Sequence, residues 1–357
     1  MISCNVKAPK INEKVVKVGV NLPLSGDLAT YGISVQEGIT LAKEEFSDTL
    51  KKYNIELLYD FQDNKGEAKT ALSIFQKHKL EDVQIYMSGV TQQSMAIKDL
   101  VNQEKIPHFL WAFTPVRLTE GEFLFRNYVN FGVEAQFYVD FIKRFKPKKV
   151  ALIYVNISGT DIQFNQIVKP QILDYGIKFI MQEPYDISKS DFKDLAAKVK
   201  AYDPDVIVMN GFKDNLIQLI KDFKAYKISE KSTVICSFDL LDAAAELSNE
   251  LLEGFYVTSP IFNSRENPNT NNWKERFRTR FHKEPKYTNA YAYDNYTILL
   301  DVIKKCHAIA NKDSLRLQIL KTNLEGITGQ LSFQNNGEMN LSLEICKYIN
   351  GKLTPAE

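Results

Sequence analysis

The chain has 357 residues, in which 45 Lys and Arg face 44 Asp and Glu, leaving a formal net charge of +1 at pH 7. This balance gives no electrostatic basis for nucleic-acid binding. The length exceeds what one ordinary hydrophobic core encloses, so two lobes are expected. No apolar run approaches the roughly 18 residues of a membrane span, and membrane attachment would therefore require a lipid or a partner.

The chain opens with a strand, a loop and a helix. Residues 15–22 form a β-branched run typical of a buried strand, residues 23–32 are turn-rich, and a helical pattern begins at Ser34. In open α/β sheets, ligands bind outside the carboxyl ends of such strands, where loops meet helix N-termini. We therefore expect residues 25–31 to contribute to a ligand site.

The same alternation of strand and helix then repeats in two arrays. Strands of the first array are predicted at 55–60, 83–87, 106–111 and 126–131. Those of the second are predicted at 148–155, 177–181, 206–209, 233–236 and 254–259. Two consecutive βα arrays of similar length predict an α/β protein with two doubly wound parallel-sheet lobes.

The last hundred residues depart from this alternation. Helices are predicted at 271–282, 290–310 and 314–323, followed by a β-hairpin of 329–333 and 341–349 whose turn contains Asn336-Gly337. Helices without intervening strands must pack on a sheet that is already built, and a late hairpin must join an existing edge. The chain is therefore expected to cross between the lobes more than once.

Cysteines and histidines give no sign of a metal site. The four cysteines are widely spaced, and none of the four histidines lies at metal-ligand spacing from another. Cys236 and Cys346 lie in strand-like runs, either as small buried hydrophobes or as a disulfide pair. His78 and His282 neighbour lysines on helical patterns and are predicted to face solvent, whereas His108 is predicted to be a hydrogen-bonded histidine within a strand.

Motifs of catalysis and cofactor binding are also missing from the sequence. It contains no G-x-G-x-x-G after the first strand, no Walker motif and no G-x-S-x-G elbow. Its carboxylates form no convincing acid–base pair. We therefore predict a binding protein that is not an enzyme and uses no cofactor.

The N-terminus carries a separate signal. Ile2-Ser3-Cys4 is similar to the end of a bacterial lipobox, and the polar residues that follow give residues 1–14 the character of a tether. Cys4 is therefore a candidate lipidation site. The alternative is an ordinary cytosolic N-terminus with a chance cysteine.

Four stretches together resemble one known family. They are Val18-Gly19-Val20 with Leu24-Ser25-Gly26, Tyr31-Gly32 and Gly38; Ala290-Tyr291-Ala292-Tyr293-Asp294; Gly326 to Phe333 with Asn336-Gly337-Glu338; and the lipobox-like start. The chain from about Val15 onward resembles the type I solute-binding proteins of ABC importers, most of all the leucine/isoleucine/valine-binding group.

The resemblance implies two lobes of the periplasmic-binding-protein type I fold joined by three hinge crossovers, near Asn130, Pro260 and Thr328. The first lobe would comprise 15–130 and 260–328, and the second 131–259 and 329–357. A ligand in the cleft would be enclosed when the lobes close about the hinges. Binding drives that closure only insofar as the ligand contacts both lobes.

The resemblance also implies ligand-binding positions on the first lobe. The hydroxyl that binds a ligand carboxylate falls on Thr91, at a helix N-terminus where Gln92 adds an amide. A second polar anchor falls on Thr114, with the main chain of Phe113 beside it, and an aromatic residue that closes the first loop falls on Tyr31.

On the second lobe the agreement is partial. The acidic residue that meets a ligand ammonium falls near Asp239, whereas two positions where the family has tyrosine are Gly159 and Phe212 here. These departures put aliphatic amino acids in question and admit another small carboxylate, including an aromatic one.

Each of these residues has an alternative structural role. Thr91 and Asp239 would cap their helices, Thr114 would serve the turn before the following proline, and Tyr31 would pack on its own loop. Phe113 and Phe212 would be core residues at strand ends. Lys213 would answer a ligand carboxylate or, as is commoner, be solvated.

The function predicted is an extracytoplasmic receptor that delivers an amino acid or other small carboxylate to an ABC permease. It would be periplasmic or at the cell surface, monomeric, and in contact with the membrane only through a lipid on Cys4. The alternative is a ligand-sensing regulatory or signalling protein of the same fold. A doubly wound enzyme ranks third, because no catalytic constellation is found.

Overall fold

The computed structural model describes residues 14–114, 121–173, 175–306 and 311–356. The expected mixed α/β architecture with two predominantly parallel sheets is confirmed. The strands of the described residues are β1 (Lys14–Leu22), β2 (Ile55–Asp63), β3 (Ile85–Gly89), β4 (His108–Trp111), β5 (Leu124–Phe125), β6 (Lys149–Val155), β7 (Lys178–Tyr185), β8 (Val206–Asn210), β9 (Thr233–Cys236), β10 (Tyr256–Pro260), β11 (Asn323–Gly326), β12 (Gly329–Ser332), β13 (Leu343–Ile349) and β14 (Lys352–Pro355).

Helices cover both faces of the sheets. They are α1 (Ala29–Glu45), α2 (Ser47–Tyr53), α3 (Ala68–Leu80), α4 (Thr91–Gln103), α5 (Phe131–Phe145), α6 (Ser158–Asp161), α7 (Lys169–Leu173), α8 (Lys193–Tyr202), α9 (Lys213–Ala225), α10 (Leu240–Ala243), α11 (Asn249–Leu252), α12 (Ile261–Ser264), α13 (Pro268–Phe281), α14 (Tyr287–Lys305) and α15 (Lys312–Leu320). A π-helical stretch, Ile162–Val168, joins α6 to α7.

The first sheet has the strand order β2-β1-β3-β4-β5, and all its pairings are parallel. The second has the order β14-β13-β10-β9-β8-β6-β7, in which only β13 and β14 run antiparallel to their neighbours. Strand order reverses at β1 and β3 in the first sheet and at β6 and β8 in the second. A doubly wound sheet offers a ligand crevice at such a reversal.

The chain crosses between the lobes at three places. The first connection precedes α5, where the Asn130 side chain accepts hydrogen bonds from the amides of Gly132 and Val133 and so caps the helix. The second follows β10. The third lies after Met339 rather than near Thr328, because Leu331, Phe333 and Met339 pack in the first core while Leu343 begins the strand that joins the second sheet.

One predicted strand and the start of one predicted helix differ from the observed elements. The strand expected at 126–131 is shorter and earlier, at Leu124–Phe125, and Phe131 opens a helix instead. The apolar residues of that stretch had suggested a strand, but they are buried at the crossover, where the Asn130 cap starts α5. The first helix likewise begins at Ala29, ahead of Ser34.

The C-terminal hairpin was predicted wrongly. β12 pairs with β11, which precedes it, and β13 pairs with β10 and β14. The turn at Asn336-Gly337 exists, but it is flanked only by a single antiparallel bridge between Phe333 and Met339. A local turn signal cannot show which of two sheets each flanking strand will join.

Among the histidines and cysteines, His78 is a correction. Its side chain is buried, with Nε2 3.1 Å from Asp60 Oδ2, whereas His282 is exposed as expected. His108 is buried with Nε2 2.7 Å from the Ser88 hydroxyl, and burial lowers its pKa to about 3. Cys236 and Cys346 are both free and buried. Cys4 and residues 1–13 of the expected tether lie outside the described residues, whereas Lys14 opens β1. None of the helices in the described residues combines the length and the apolar character needed to cross a bilayer.

A closed interlobe cleft as candidate ligand site

Lobe one contributes three loops that leave the carboxyl ends of β1, β3 and β4. The Thr91 hydroxyl accepts a hydrogen bond from the Phe113 amide at 3.2 Å, which joins the second loop to the third. Thr91 makes no side-chain cap of its own helix, whose N-cap position is Val90. Tyr31, in the first turn of α1 directly after the first loop, meets the Phe113 ring edge-on with centroids 5.3 Å apart. The structure thus brings three of the expected positions together.

The ion pair between Arg126 and Glu338 fixes the position of Thr114. It is buried, and its carbonyl accepts a 2.6 Å hydrogen bond from Arg126 Nη1. Arg126 in turn makes a bidentate pair with Glu338, with distances of 2.8 and 2.7 Å. Charge-assisted bidentate pairs fix geometry well, so Thr114 has a defined position at the cleft.

Lobe two contributes the loop after β9. Phe238 and Asp239 lie there, with the Phe238 ring fully buried and Asp239 only 1% exposed. Asp239 occupies the N-cap position of α10 but makes no cap hydrogen bond. Its atom Oδ2 has no partner among the described residues. The capping role that the sequence admitted is therefore not observed.

Side chains from the two lobes touch across the cleft. The rings of Phe113 and Phe238 stack with centroids 6.0 Å apart and planes at 18°. The Tyr31 hydroxyl lies beside the Asp239 carboxyl and interacts with it. At the rim, Nζ of Lys286, the N-cap residue of α14, is 2.7 Å from Asp242 Oδ2 of α10. The lobes are therefore closed on each other.

The electrostatics of the cleft centre on Asp239. Burial raises the pKa of its carboxyl well above the usual value, and the nearby Asp242 and Glu134 raise it further. Lys286 and the Tyr31 hydroxyl oppose this effect without overcoming it. A buried carboxylate is costly unless it is paired. A cation placed at Oδ2 would supply the missing partner.

Other expected positions lie differently. The Gln92 side chain is exposed, while its neighbour Gln93 is buried and donates to the Gly66 carbonyl. Phe212 is half-buried and packs against the second core, which is the alternative role. Lys213 forms an ion pair with Glu246.

Gly159 lies at the meeting of the lobes. A Cβ built on it would be 3.1 Å from the Phe131 ring and 3.6 Å from the Thr114 Cα. At this position the family that the sequence resembles has a tyrosine. Here the cleft wall consists of main-chain atoms, and the ring beside it is that of Phe131.

Sequence reasoning missed several residues of this region. Phe131 and Phe238 stack with centroids 6.0 Å apart, and Tyr287 meets Phe238 edge-on at 5.9 Å. Glu134 lies fully buried behind Phe238. A signal for Glu134 was present in the sequence, since it interrupts the apolar stripe of α5 at helical spacing from Phe131 and Tyr138.

Comparisons with known proteins agree with this geometry. The model of the periplasmic binding protein family matches residues 15–352. Leu/Ile/Val-binding protein homolog 1 of Brucella suis biovar 1 (strain 1330) is 22% identical over 342 residues, covering 91% of this chain and 88% of the relative.

Two solved structures show the same fold. One is the branched-chain amino acid transporter substrate-binding protein LivJ of Streptococcus pneumoniae in complex with isoleucine (21% identity, TM-score 0.81, 96% of this chain and 99% of that one). The other is an ABC transporter solute-binding protein of Rhodopseudomonas palustris BisB5 in complex with 3,4-dihydroxybenzoic acid (19% identity, TM-score 0.84, 97% and 96%).

Two doubly wound lobes with a buried cleft between them define a bilobal solute-binding protein. The chain belongs to the periplasmic binding protein family. That family is a non-enzymatic, extracytoplasmic class whose relatives bind small molecules and act with ABC transporters.

Proposed function

We propose that this protein is the substrate receptor of an ABC importer and that its ligand is an amino acid carrying both a carboxylate and an ammonium group. The Asp239 carboxyl carries the proposal. It is buried, faces lobe one through Tyr31, and has an oxygen without a partner among the described residues. An ammonium would pair with it only in the closed cleft, which makes the ligand selective for that state.

The surroundings of Asp239 suit the rest of such a ligand. The hydroxyl of Thr91 and the N-terminus of α4 offer an anion site for the carboxylate. The rings of Phe113, Phe238 and Tyr31 offer apolar contact for a side chain and cation–π attraction for the ammonium. Both ends of an amino acid therefore find complementary chemistry.

A matched ligand series tests this proposal by thermal unfolding and calorimetry. Leucine, isoleucine, valine and phenylalanine are compared with 4-methylpentanoate and 3-phenylpropanoate, which lack the amine, and with phenethylamine, which lacks the carboxylate. A ligand of the native state raises the unfolding midpoint once its concentration exceeds its Kd. We expect shifts only with molecules that carry both groups.

Benzoate and 3,4-dihydroxybenzoate complete the series, because a structural neighbour binds the latter. An aromatic carboxylate would use the same rings but would leave Asp239 unpaired. Shifts with these acids and none with amino acids would contradict the proposed ligand class while leaving the receptor role intact. No shift with any compound would contradict the receptor role.

Attachment through a lipid on Cys4 and work as a monomer are further parts of the proposal. Mass spectrometry of the protein isolated from its native membranes tests the first, with Cys4→Ser as the control that should leave the membrane fraction. Light scattering with and without ligand tests the second. An unmodified Cys4 or a dimer mass would contradict these parts separately.

A further inference from the structure

The buried carboxyl of Glu134 lies where three parts of lobe two converge. It is in the first turn of α5, directly after the first interlobe connection. Its Oε1 accepts a 3.0 Å hydrogen bond from the Phe238 amide and one from the Thr258 hydroxyl. Thr258 belongs to β10, the strand that ends at the second connection. One carboxylate of α5 therefore bonds to the loop that carries Asp239 and to β10, and α5 and β10 are the elements that flank the first and second connections.

The second oxygen of Glu134 is also satisfied. Oε2 accepts from Gln163 Nε2 at 3.0 Å and from Asn210 Nδ2 at 3.4 Å. Gln163 and Asn210 also bond to each other, at 3.1 Å. Since all four partners donate, the network fits an ionised carboxylate, which only accepts.

We propose that Glu134 is a positioning residue for ligand binding, because its carboxylate ties the turn bearing Phe238 and Asp239 to α5 and β10, the elements beside the two interlobe connections. Closure of the lobes would then deliver Asp239 to the ligand in a fixed orientation. This inference rests on the proposed function for its ligand-binding consequence, but the tie between Glu134 and the Phe238 amide can be tested without any ligand.

The electrostatic setting adds a pH dependence. Burial raises the pKa of Glu134 to about 7, although the bonds from Thr258, Gln163 and Phe238 each lower it. The titratable groups that face it are Asp239, Cys236 and Tyr138, all on lobe two. A ligand ammonium at Asp239 favours the ionised forms of both Asp239 and Glu134, and a variant that cannot ionise at position 134 isolates the share of Glu134. Binding should therefore release a proton near pH 7 and weaken as the pH falls below it.

Two variants separate the parts of this role. Glu134→Ala removes every acceptor, whereas Glu134→Gln keeps one oxygen for the Phe238 amide but cannot ionise. The matched control is Asp222→Asn, since Asp222 is a buried carboxylate of the same lobe that accepts a 3.1 Å bond from the Phe192 amide ahead of α8.

Hydrogen exchange in the ligand-free protein is the first measurement. We expect amide exchange over residues 237–243 to rise roughly tenfold or more in Glu134→Ala, to rise less in Glu134→Gln, and to keep the wild-type rate in Asp222→Asn. Unchanged exchange at Phe238 in Glu134→Ala would overturn the inference, whatever the ligand proves to be.

Calorimetry is the second measurement, with the amino acid of the series above that the wild-type protein binds most tightly. We expect a tenfold or greater loss of affinity in Glu134→Ala and a partial rescue in Glu134→Gln at pH 8. Between pH 8 and pH 6 the wild-type affinity should fall, by roughly up to tenfold for each pH unit below the pKa of Glu134. The affinity of Glu134→Gln should fall less over the same range. Parallel pH profiles, or equal affinities in all variants, would overturn the inference. If Glu134→Ala does not fold, Glu134→Gln and its pH profile decide.

Failure here is distinguishable from failure of the proposed function. If the wild-type protein binds no member of the series, the proposed function fails, while the exchange measurement still decides the role of Glu134. If the wild-type protein binds and the variants match it, only the role of Glu134 fails.

Discussion

Phe113 of lobe one and Phe238 of lobe two stack across the cleft with their ring planes at 18° and their centroids 6.0 Å apart. Phe113 follows β4 and Phe238 follows β9, and each ring is next to a residue of the candidate site. Phe113 precedes Thr114 and packs against Tyr31. Phe238 precedes Asp239. The contact between the lobes and the candidate ligand site are therefore built from the same two turns.

Replacing Phe238 by Ala should show whether the interlobe stack contributes to ligand affinity in addition to stability. Loss of a buried phenylalanine costs about 3–5 kcal/mol of unfolding free energy, and the interlobe stack is lost as well. Phe223→Ala is the control, because Phe223 is equally buried in the core of lobe two. We expect similar losses by chemical denaturation, but a roughly tenfold or greater loss of affinity only in Phe238→Ala. Equal affinities in the two variants would show that the stack does not serve binding.

Replacing Asp239 by Asn should weaken the binding of amino acids. Removing one partner of a buried charge pair costs about 2–5 kcal/mol of binding free energy, so amino-acid affinity should fall by more than roughly tenfold. Binding of the deaminated analogues should not fall. An unchanged amino-acid Kd would remove Asp239 from the site.

The same substitution should alter the pH dependence of the ligand-free protein. The pKa of Asp239 is raised in the folded state, so its contribution to stability is full below the unfolded pKa and is lost as the pH rises through the folded pKa. Asparagine does not titrate. We expect the melting temperature of the wild type to fall relative to Asp239→Asn as the pH rises, measured by calorimetry without ligand; a constant difference would contradict the raised pKa.

Lys286→Met tests the ion pair at the rim of the cleft. The Lys286 side chain is 32% exposed and Asp242 11%, with 2.7 Å between Nζ and Oδ2. A partly solvated pair contributes little, about 0.5–1 kcal/mol after screening, so affinity should fall a few-fold and the wild-type advantage should shrink in high salt.

Lys213→Met is the matched control, because its pair with Glu246 lies within lobe two. We expect it to leave affinity unchanged. An equal loss in Lys213→Met would instead support the direct role for Lys213 at a ligand carboxylate that the sequence had admitted.

Asp294 of α14 provides a pH test in lobe one. Burial raises its pKa from 3.8 to about 6, although the Ile327 and Thr328 amides, each at 2.8 Å, and the Thr328 hydroxyl donate to it. A raised carboxyl pKa contributes stability that is full below about pH 4 and lost as the pH rises through 6. The wild type should therefore lose about 3 kcal/mol relative to Asp294→Asn between pH 4 and pH 7. Parallel melting curves across this range would contradict the shift.

Much of the fold follows from local patterns. The β-branched runs between amphipathic helices predicted both parallel sheets, because burial on two faces leaves a signature in each strand by itself. The stretch 126–131 was misassigned, since its buried residues serve a crossover and a capped helix rather than a strand. The C-terminal strands could not be paired from sequence, because pairing depends on which sheet edge is open.

The candidate site divides in the same way. The sequence placed Tyr31, Thr91, Thr114 and Asp239 after strand ends, and a family resemblance implied a binding role for each. Only the tertiary structure shows that Phe238 stacks on Phe113 and that Lys286 pairs with Asp242. It also shows that Glu134 accepts a hydrogen bond from the Phe238 amide. These pairs join residues that are distant in the chain, and their geometry is set by the closure of two lobes.

The sequence by itself determined most of the elements, the class of fold and the edge of each sheet at which a ligand site is expected, because hydrophobic periodicity and turn residues act over a few positions. The tertiary structure alone decided which carboxyls are buried, which of them are paired and which aromatic rings meet. Burial and pairing depend on the free energy of desolvation, and that quantity is defined only when both walls of the cleft are in place.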